Sequence, residues 1–237
     1  MGRYVLITGT SKGLGRFLVT DFIKAGYIVF AGYRKEKEYL VELESKYKEL
    51  LPIQMDVSDE ASVIKAKEKV KGITNSLDIL INNAAVYLEG KKPDLPSIEE
   101  IDIQKVIDTY NVNSAGCLRV LKHFYKMIEN GKQRLIINIS SEAGSLQDCW
   151  RDREFGYCMS KAAMNMATRI LHNYSKNKGI KVISLHPGWM KTDMGGMDAD
   201  IYPEEASRKI VEFALKLDEK DVLYHQYYDY NGNPMKW

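Results

Sequence analysis

Six apolar runs, each separated from the next by a stretch with helical spacing, restrict this chain to few architectures. The runs are YVLIT (4–8), YIVFAGY (27–33), LLPIQM (50–55), LDILIN (77–82), RLIINIS (134–140) and IKVISLH (180–186). Between them the spacing predicts helices from Leu14 to Ala25, within the charged stretch 35–49, from Ser58 or Asp59 to about Val70, over 98–129 and over 155–177. A Lys/Pro-rich loop (90–97) precedes the long helical region, and a Gly/Met-rich loop (188–202) precedes a helix opening near Pro203. DVLYH (221–225) reads as a last strand, followed by a turn and an edge. Strands separated by helices pair in parallel through right-handed crossovers. The runs are continuous rather than alternating, so helices must cover both faces. The expectation is α/β: a doubly wound, mostly parallel sheet of about seven strands in three α/β/α layers. No linker or repeat divides residues 1–237, so one domain is expected to fill them.

In such a sheet ligands bind beyond the carboxyl ends of the strands. TGTSKGLG (8–15) lies there, between the first strand and the first helix. Gly9, Gly13 and Gly15 allow a tight turn and close approach of a pyrophosphate, and the helix N-terminus offers unpaired N–H groups. The spacing G-x-x-x-G-x-G is neither G-x-G-x-x-G nor a P-loop. The end of the second strand bears on which dinucleotide enters, since an acid there suits a ribose 2′-OH and an arginine a 2′-phosphate. Here Tyr33 stands where the acid would be and Arg34 follows it, with Lys12 within reach from the glycine stretch. Two cations at one edge favour NADP(H) over NAD(H).

Composition excludes several other classes. Lys+Arg 34 against Asp+Glu 32 leaves a net charge of +2, which argues against nucleic acid as a partner. No apolar stretch reaches bilayer length, and no signal-peptide pattern precedes the first strand. Cys117, Cys149 and Cys158 form no CxxC pair and read as reduced thiols of a cytoplasmic protein. The histidines are scattered, so no metal site is expected.

Tyr157 and Lys161 in YCMSK share a helix face at i and i+4. A free phenol titrates near 10, and serving as a base near neutrality requires about 4 kcal/mol of stabilisation. One cation at about 4 Å supplies up to about that much at an effective dielectric of 20. In reduction the same phenol donates its proton.

These motifs resemble the short-chain dehydrogenase/reductase family of single-domain, Rossmann-like enzymes. They run in order as Thr8-Gly-x-x-x-Gly-x-Gly15, Asp56-Val57, Asn82-Asn-Ala-Ala85, Asn113-x-x-Gly116, Ser140-Ser141, Tyr157-x-x-x-Lys161 and Pro187-Gly188 with Thr192. HPGWMKTDMGG (186–196) further resembles the sniffer- and C-factor-like branch of carbonyl reductases. The resemblance implies hydride transfer between nicotinamide and a carbonyl or secondary alcohol. Tyr157 would be the acid/base, Lys161 would bind the nicotinamide ribose and lower the phenol's pKa, and Ser141 would bond the carbonyl. Asn113 would hold a water linking Lys161 to solvent. Gly9, Ser11, Lys12, Gly13, Leu14, Gly15 and Arg34 would form the phosphate side of the cofactor site. Asp56 and Val57 would flank the adenine, Asn83 and Ala84 the adenosine, and Pro187, Gly188 and Thr192 the carboxamide. A dinucleotide-binding signalling protein of C-factor type with little turnover is the alternative. Relatives pair through the two long helices, which implies a homodimer or homotetramer.

Two features depart from the family pattern. Ala85 replaces the usual glycine, and the stretch between Ser141 and Tyr157 carries the longer LQDCWRDREF (146–155). This insert makes Trp150 a candidate substrate contact, with Arg151 and Arg153 beside it. Trp189 and Met194 are candidates from the Gly/Met-rich loop, where Gly195 and Gly196 could act as hinges of a lid.

Overall fold

The first five strands lie where the apolar runs place them. In the computed structural model, which describes residues 2–90, 95–218, 222 and 224–237, they are β1 (Arg3–Thr8), β2 (Tyr27–Tyr33), β3 (Leu50–Gln54), β4 (Ile79–Asn82) and β5 (Leu135–Ile139). With β6 (Lys181–His186) and β7 (Tyr227–Asp229) they form one sheet in the order β3-β2-β1-β4-β5-β6-β7. Every strand pair is parallel. The order reverses between β1 and β4, which is where such sheets open a crevice for ligands.

The helices are α1 (Gly13–Lys24), α2 (Glu38–Glu44), α3 (Glu60–Lys71), α4 (Ile103–Tyr110), α5 (Gly116–Glu129), α6 (Phe155–Ser175) and α7 (Pro203–Lys216). Leu14, Leu18 and Phe22 of α1, Leu40 of α2 and Ile210 of α7 pack with Val5, Ile7 and Ile137 on one face of the sheet. Val63 of α3, Phe124 of α5 and Met164 of α6 pack with Leu6, Leu80 and Ile136 on the other. Successive residues of each strand thus feed opposite cores, as continuous apolar runs require.

Three elements differ from their sequence expectation. The last strand is Tyr227–Asp229 rather than 221–225. Of that run 221 and 223 lie outside the described residues, and Val222 and Tyr224 are helical. A short apolar run has no period that separates the two states; Tyr227 and Tyr228 are the residues buried, at 1% and 4% exposure, against β6. The expected helix 98–129 is broken. Asp102 caps a new start by accepting from the amides of Gln104 and Lys105, and a single π turn (Asn111–Ala115) separates α4 from α5. The charged stretch 35–49 is helical only over α2. Residues 91–94 of the Lys/Pro-rich loop lie outside the described residues.

One row of the sheet is polar. Asn82, Asn138 and Ser184 are register partners on neighbouring strands. Asn82 Nδ2 donates to Asn138 Oδ1 at 2.8 Å, Asn138 Nδ2 donates to Thr168 Oγ1 on α6 at 2.9 Å, and Ser184 Oγ donates to the same hydroxyl at 2.8 Å.

Candidate active site

The turn after β1 is fixed by backbone sterics. Gly9 and Gly13 have φ of +69° and +56°, in the left-handed region that glycine enters without strain. A Cβ on Gly9 would lie 2.7 Å from Ala84 Cα, and one on Gly15 would lie 2.2 Å from Gly9 O. Asn83 clamps the same turn, its Nδ2 donating to Thr8 O at 2.8 Å and Gly9 O at 2.9 Å, while Thr8 Oγ1 accepts from the amides of Asn83 and Ala84. The first turn of α1 carries no acid and its N-cap, Lys12, supplies no side-chain bond. The N–H groups at this helix start are therefore donors without a capping acceptor. A Cβ on Gly13 would meet only Thr192 Cγ2, at 3.8 Å, so the glycine opens space between the turn and the loop after β6.

The two predicted phosphate partners, Lys12 and Arg34, are both exposed. Ser11 Oγ donates to Glu36 O at 2.6 Å, tying the glycine turn to the segment that begins with exposed Arg34. Lys12 Nζ lies 3.4 Å from Asp193 Oδ2, a solvent-facing pair reaching across to the loop after β6. Farther along, Asp56 Oδ1 accepts from the amide and hydroxyl of Ser58, and the Val57 carbonyl accepts from Arg119 Nη1.

The residues expected to react meet near the ends of β5 and β6. Ser140 and Ser141 point opposite ways, as neighbours on a strand must. Ser140 Oγ donates to Asn165 Oδ1 at 2.7 Å and is directed toward α6. Ser141 Oγ accepts from Ala143 N at 3.2 Å and lines the same cleft as Tyr157. Ser141, Tyr157, His186, Pro187, Gly188, Trp189, Thr192 and Met194 line one cleft of about 160 Å³.

Lys161 is 2% exposed. Its Nζ donates to Ile139 O at 2.8 Å and lies 5.7 Å from the centre of the Tyr157 ring. Burial pulls the ammonium down to about 8. Burial also pushes the Tyr157 phenol up to about 12, against a downward pull from Ser141. The ammonium is thus directed at a backbone carbonyl, and Ser141 and Arg151 are the groups that pull the phenol back down. Asn113, fully buried in the π turn, accepts from Val86 N at 2.8 Å and donates to Val86 O and Ser160 Oγ, each at 3.0 Å. Its amide joins three segments rather than facing the cleft.

The insert contributes charge instead of an aromatic wall. Arg151 forms a two-pronged pair with Glu142 at 2.5 and 2.8 Å and donates from Nε to Glu154 Oε2 at 2.8 Å. The Tyr87 hydroxyl donates to Glu154 Oε1 at 3.1 Å, and the Tyr87 ring meets the Tyr157 ring edge-on, centroids 5.3 Å apart. All four residues of this network line the cleft. Trp150, expected there, does not: it is 67% exposed, and its ring lies 4.7 Å beneath the Arg151 guanidinium. Arg153 donates to Leu95 O. His186 accepts from Glu142 N through Nδ1, and burial lowers its pKa. The loop after β6 is tied at its base by a bridge between Met190 and Ile201, and Trp189 Nε1 donates to Gly195 O at 2.8 Å. Tyr87, Glu142 and Glu154 carry no motif, and only Glu154 lies within the charged insert.

Comparison with known proteins points the same way. The family described as short chain dehydrogenase matches residues 3–201. The NADPH-bound carbonyl reductase from chicken fatty liver is similar in structure, with a TM-score of 0.89 and 31% identity, covering 100% of this chain and 99% of that one. The carbonyl reductase Sniffer of D. melanogaster gives a TM-score of 0.91 at 28% identity, covering 100% of both chains. The C-signal protein of Myxococcus xanthus is 32% identical over 164 residues, 69% of this chain and 95% of that protein.

Proposed function

From the premise that the chain belongs to the short chain dehydrogenase family of oxidoreductases, we propose that it is an NADP(H)-dependent carbonyl reductase. The observation that carries the reading is the meeting of Ser141 and Tyr157 in one cleft, with Lys161 behind the phenol. The residues also fit a dinucleotide. Uncapped N–H groups at the start of α1 and the space kept open by Gly13 suit a pyrophosphate. Gly9, Ser11, Leu14 and Gly15 shape that turn, and Lys12 and Arg34 would hold a 2′-phosphate. Asp56 and Val57 would flank the adenine and Asn83 and Ala84 the adenosine. Pro187, Gly188 and Thr192 would meet the carboxamide.

When bound, the cofactor supplies or accepts the hydride. Ser141 bonds the substrate oxygen. Tyr157 gives that oxygen its proton in reduction, and a phenol raised to about 12 is fully protonated and ready to donate at neutral pH. Lys161 holds the nicotinamide ribose and places positive charge behind the phenol as the proton leaves. Asn113 positions rather than reacts, fixing Val86 and Ser160 beside the helix that carries Tyr157. Trp189 and Met194 form the apolar side of the substrate cleft.

Exposed Ile103, Ile107 and Tyr110 on α4 and Met159, Met166, Ile170 and Tyr174 on α6 support a homodimer or homotetramer formed through these packed helices. Its check is mass in solution by light scattering. The three free cysteines suit a reducing cytoplasm.

NADPH oxidation over a panel of aldehydes, ketones and diketones tests the reading. Tyr157→Phe is expected to cut kcat about 10³-fold with NADPH affinity within twofold; a retained rate removes Tyr157 as the acid. The similarity to C-signal favours a second reading, dinucleotide binding in signalling. Tight NADPH binding with no turnover across the panel selects it.

A further inference from the structure

Helix α6 starts without a cap of its own. Its N-cap residue, Glu154, sits in the left-handed region at φ +67° and makes no capping bond, its carboxylate being held by Arg151 and Tyr87. The missing acceptor comes from a segment 67 residues earlier. Glu89, only 8% exposed, accepts from Gly156 N through Oε1 at 2.8 Å and from Tyr157 N through Oε2 at 2.8 Å. Gly156 makes the approach possible, since a Cβ there would lie 3.3 Å from Glu89 Cδ and 3.1 Å from Val106 Cα. A buried carboxylate is costly unless its oxygens are satisfied, and a helix N-terminus supplies both donors and a favourable dipole. Both oxygens are spent on the first turn of the helix, and one of them on the backbone amide of the residue that carries the phenol.

The neighbouring residues hold the same object. Val86 N and O pair with Asn113, and Tyr87 packs edge-on against the Tyr157 ring. Three of the four positions 86–89 after the β4 turn, Val86, Tyr87 and Glu89, therefore grip the π turn, the phenol ring and the phenol's own backbone. We propose that Glu89 is a positioning residue for the reduction: its two bonds to Gly156 and Tyr157 set the phenol's distance to Ser141 and to the substrate oxygen. This rests on the reading of Tyr157 as the proton donor.

Glu89→Gln is the informative change. An amide offers one acceptor oxygen and turns an N–H toward the second backbone donor, so one bond is lost at nearly constant volume. The expected result is a fall in kcat of tenfold or more, with the carbonyl KM and the NADPH affinity within twofold of the parent. Glu89→Asp keeps the charge but is one methylene shorter and reaches one amide; a fall of threefold to tenfold is expected, again in kcat alone. If the Gln variant does not fold, the Asp variant decides. A kcat within twofold of the parent in a folded variant overturns the proposal. So does a loss shared equally by kcat and NADPH affinity, which would mark a general loosening of the fold. Tyr157→Phe in the same assay separates the two levels. If it stays active, the proton-donor reading fails and this inference with it; if it is inactive beside an unimpaired Glu89→Gln, this inference alone fails.

Discussion

The two sides of the proposed site are built by different means. The proposed cofactor wall, from Gly9 to Gly15, is a backbone object: positive φ values, absent Cβ atoms and uncapped amides within seven residues. The proposed substrate wall is a side-chain object: Tyr87, Glu142, Arg151 and Glu154 come from three separate segments and meet only in the folded chain. A backbone device is local, so adding one methyl group breaks it. A side-chain network is distributed, so it breaks when one partner leaves the others buried and unpaired.

The largest effect separating the walls is expected from Gly15→Ala. Its Cβ would stand 2.2 Å from Gly9 O, so the turn must move. NADPH affinity, read by fluorescence titration, should fall more than about 100-fold, or roughly 3 kcal/mol. Survival of tight binding would show that the turn yields without cost. Arg151→Leu attacks the other wall. Glu142 and Glu154 then face each other without their cation, and a loss of about 2–3 kcal/mol of stability is expected in urea unfolding. Glu142 is partly solvated, which keeps the figure at the low end of that class. NADPH affinity in the folded fraction should stay within threefold, and a larger change would join the two walls energetically.

A pH profile tests the pair between the two walls, Tyr157 and Lys161. Burial depresses Lys161 to about 8, so its charge is present below that pH and lost above it. With the phenol protonated to about 12, kcat for reduction should be level below about 7.5 and fall about tenfold by pH 9. An unchanged rate at pH 9 would remove the Lys161 charge from the chemistry. Arg34→Ala returns to the cofactor wall, with NADPH affinity expected to drop about tenfold, about 1.4 kcal/mol, and NADH affinity unchanged. Lys12→Ala is expected to give the smallest change, a loss of two- to threefold, because Lys12 is solvated and already paired with Asp193.

The same division explains what the sequence disclosed. The glycine turn, Tyr157-x-x-x-Lys161 and the strands β1 to β6 are short-range patterns, and each was legible. Strand alternation required Ser140 and Ser141 to face apart, and the resemblance to the family pattern, not the alternation, chose Ser141. Trp150 was misplaced because an aromatic in an insert looks like a wall, whereas the fold turns it outward beneath Arg151. Glu89 was invisible because nothing in YLEGKK points to a helix start 67 residues on. The last strand was displaced because DVLYH and QYYDY are equally short and apolar, and only packing against β6 chooses between them.

The polar row through Asn82, Asn138 and Ser184 has a consequence for alignment. In a parallel sheet buried on both sides, a slip of two residues exchanges Ile for Leu or Val and keeps every side chain on its face, so apolar content hardly resists it. Moving Asn82 or Asn138 by two positions would instead strand buried amides without partners. Asn83 is one residue past this row and Ser141 three residues past it, so the clamp on the glycine turn and the hydroxyl beside the phenol inherit their mutual distance from it. The aliphatic residues of these strands are thus open to exchange by volume, while the row acts as the datum line from which both the glycine turn and the Ser141 hydroxyl are measured.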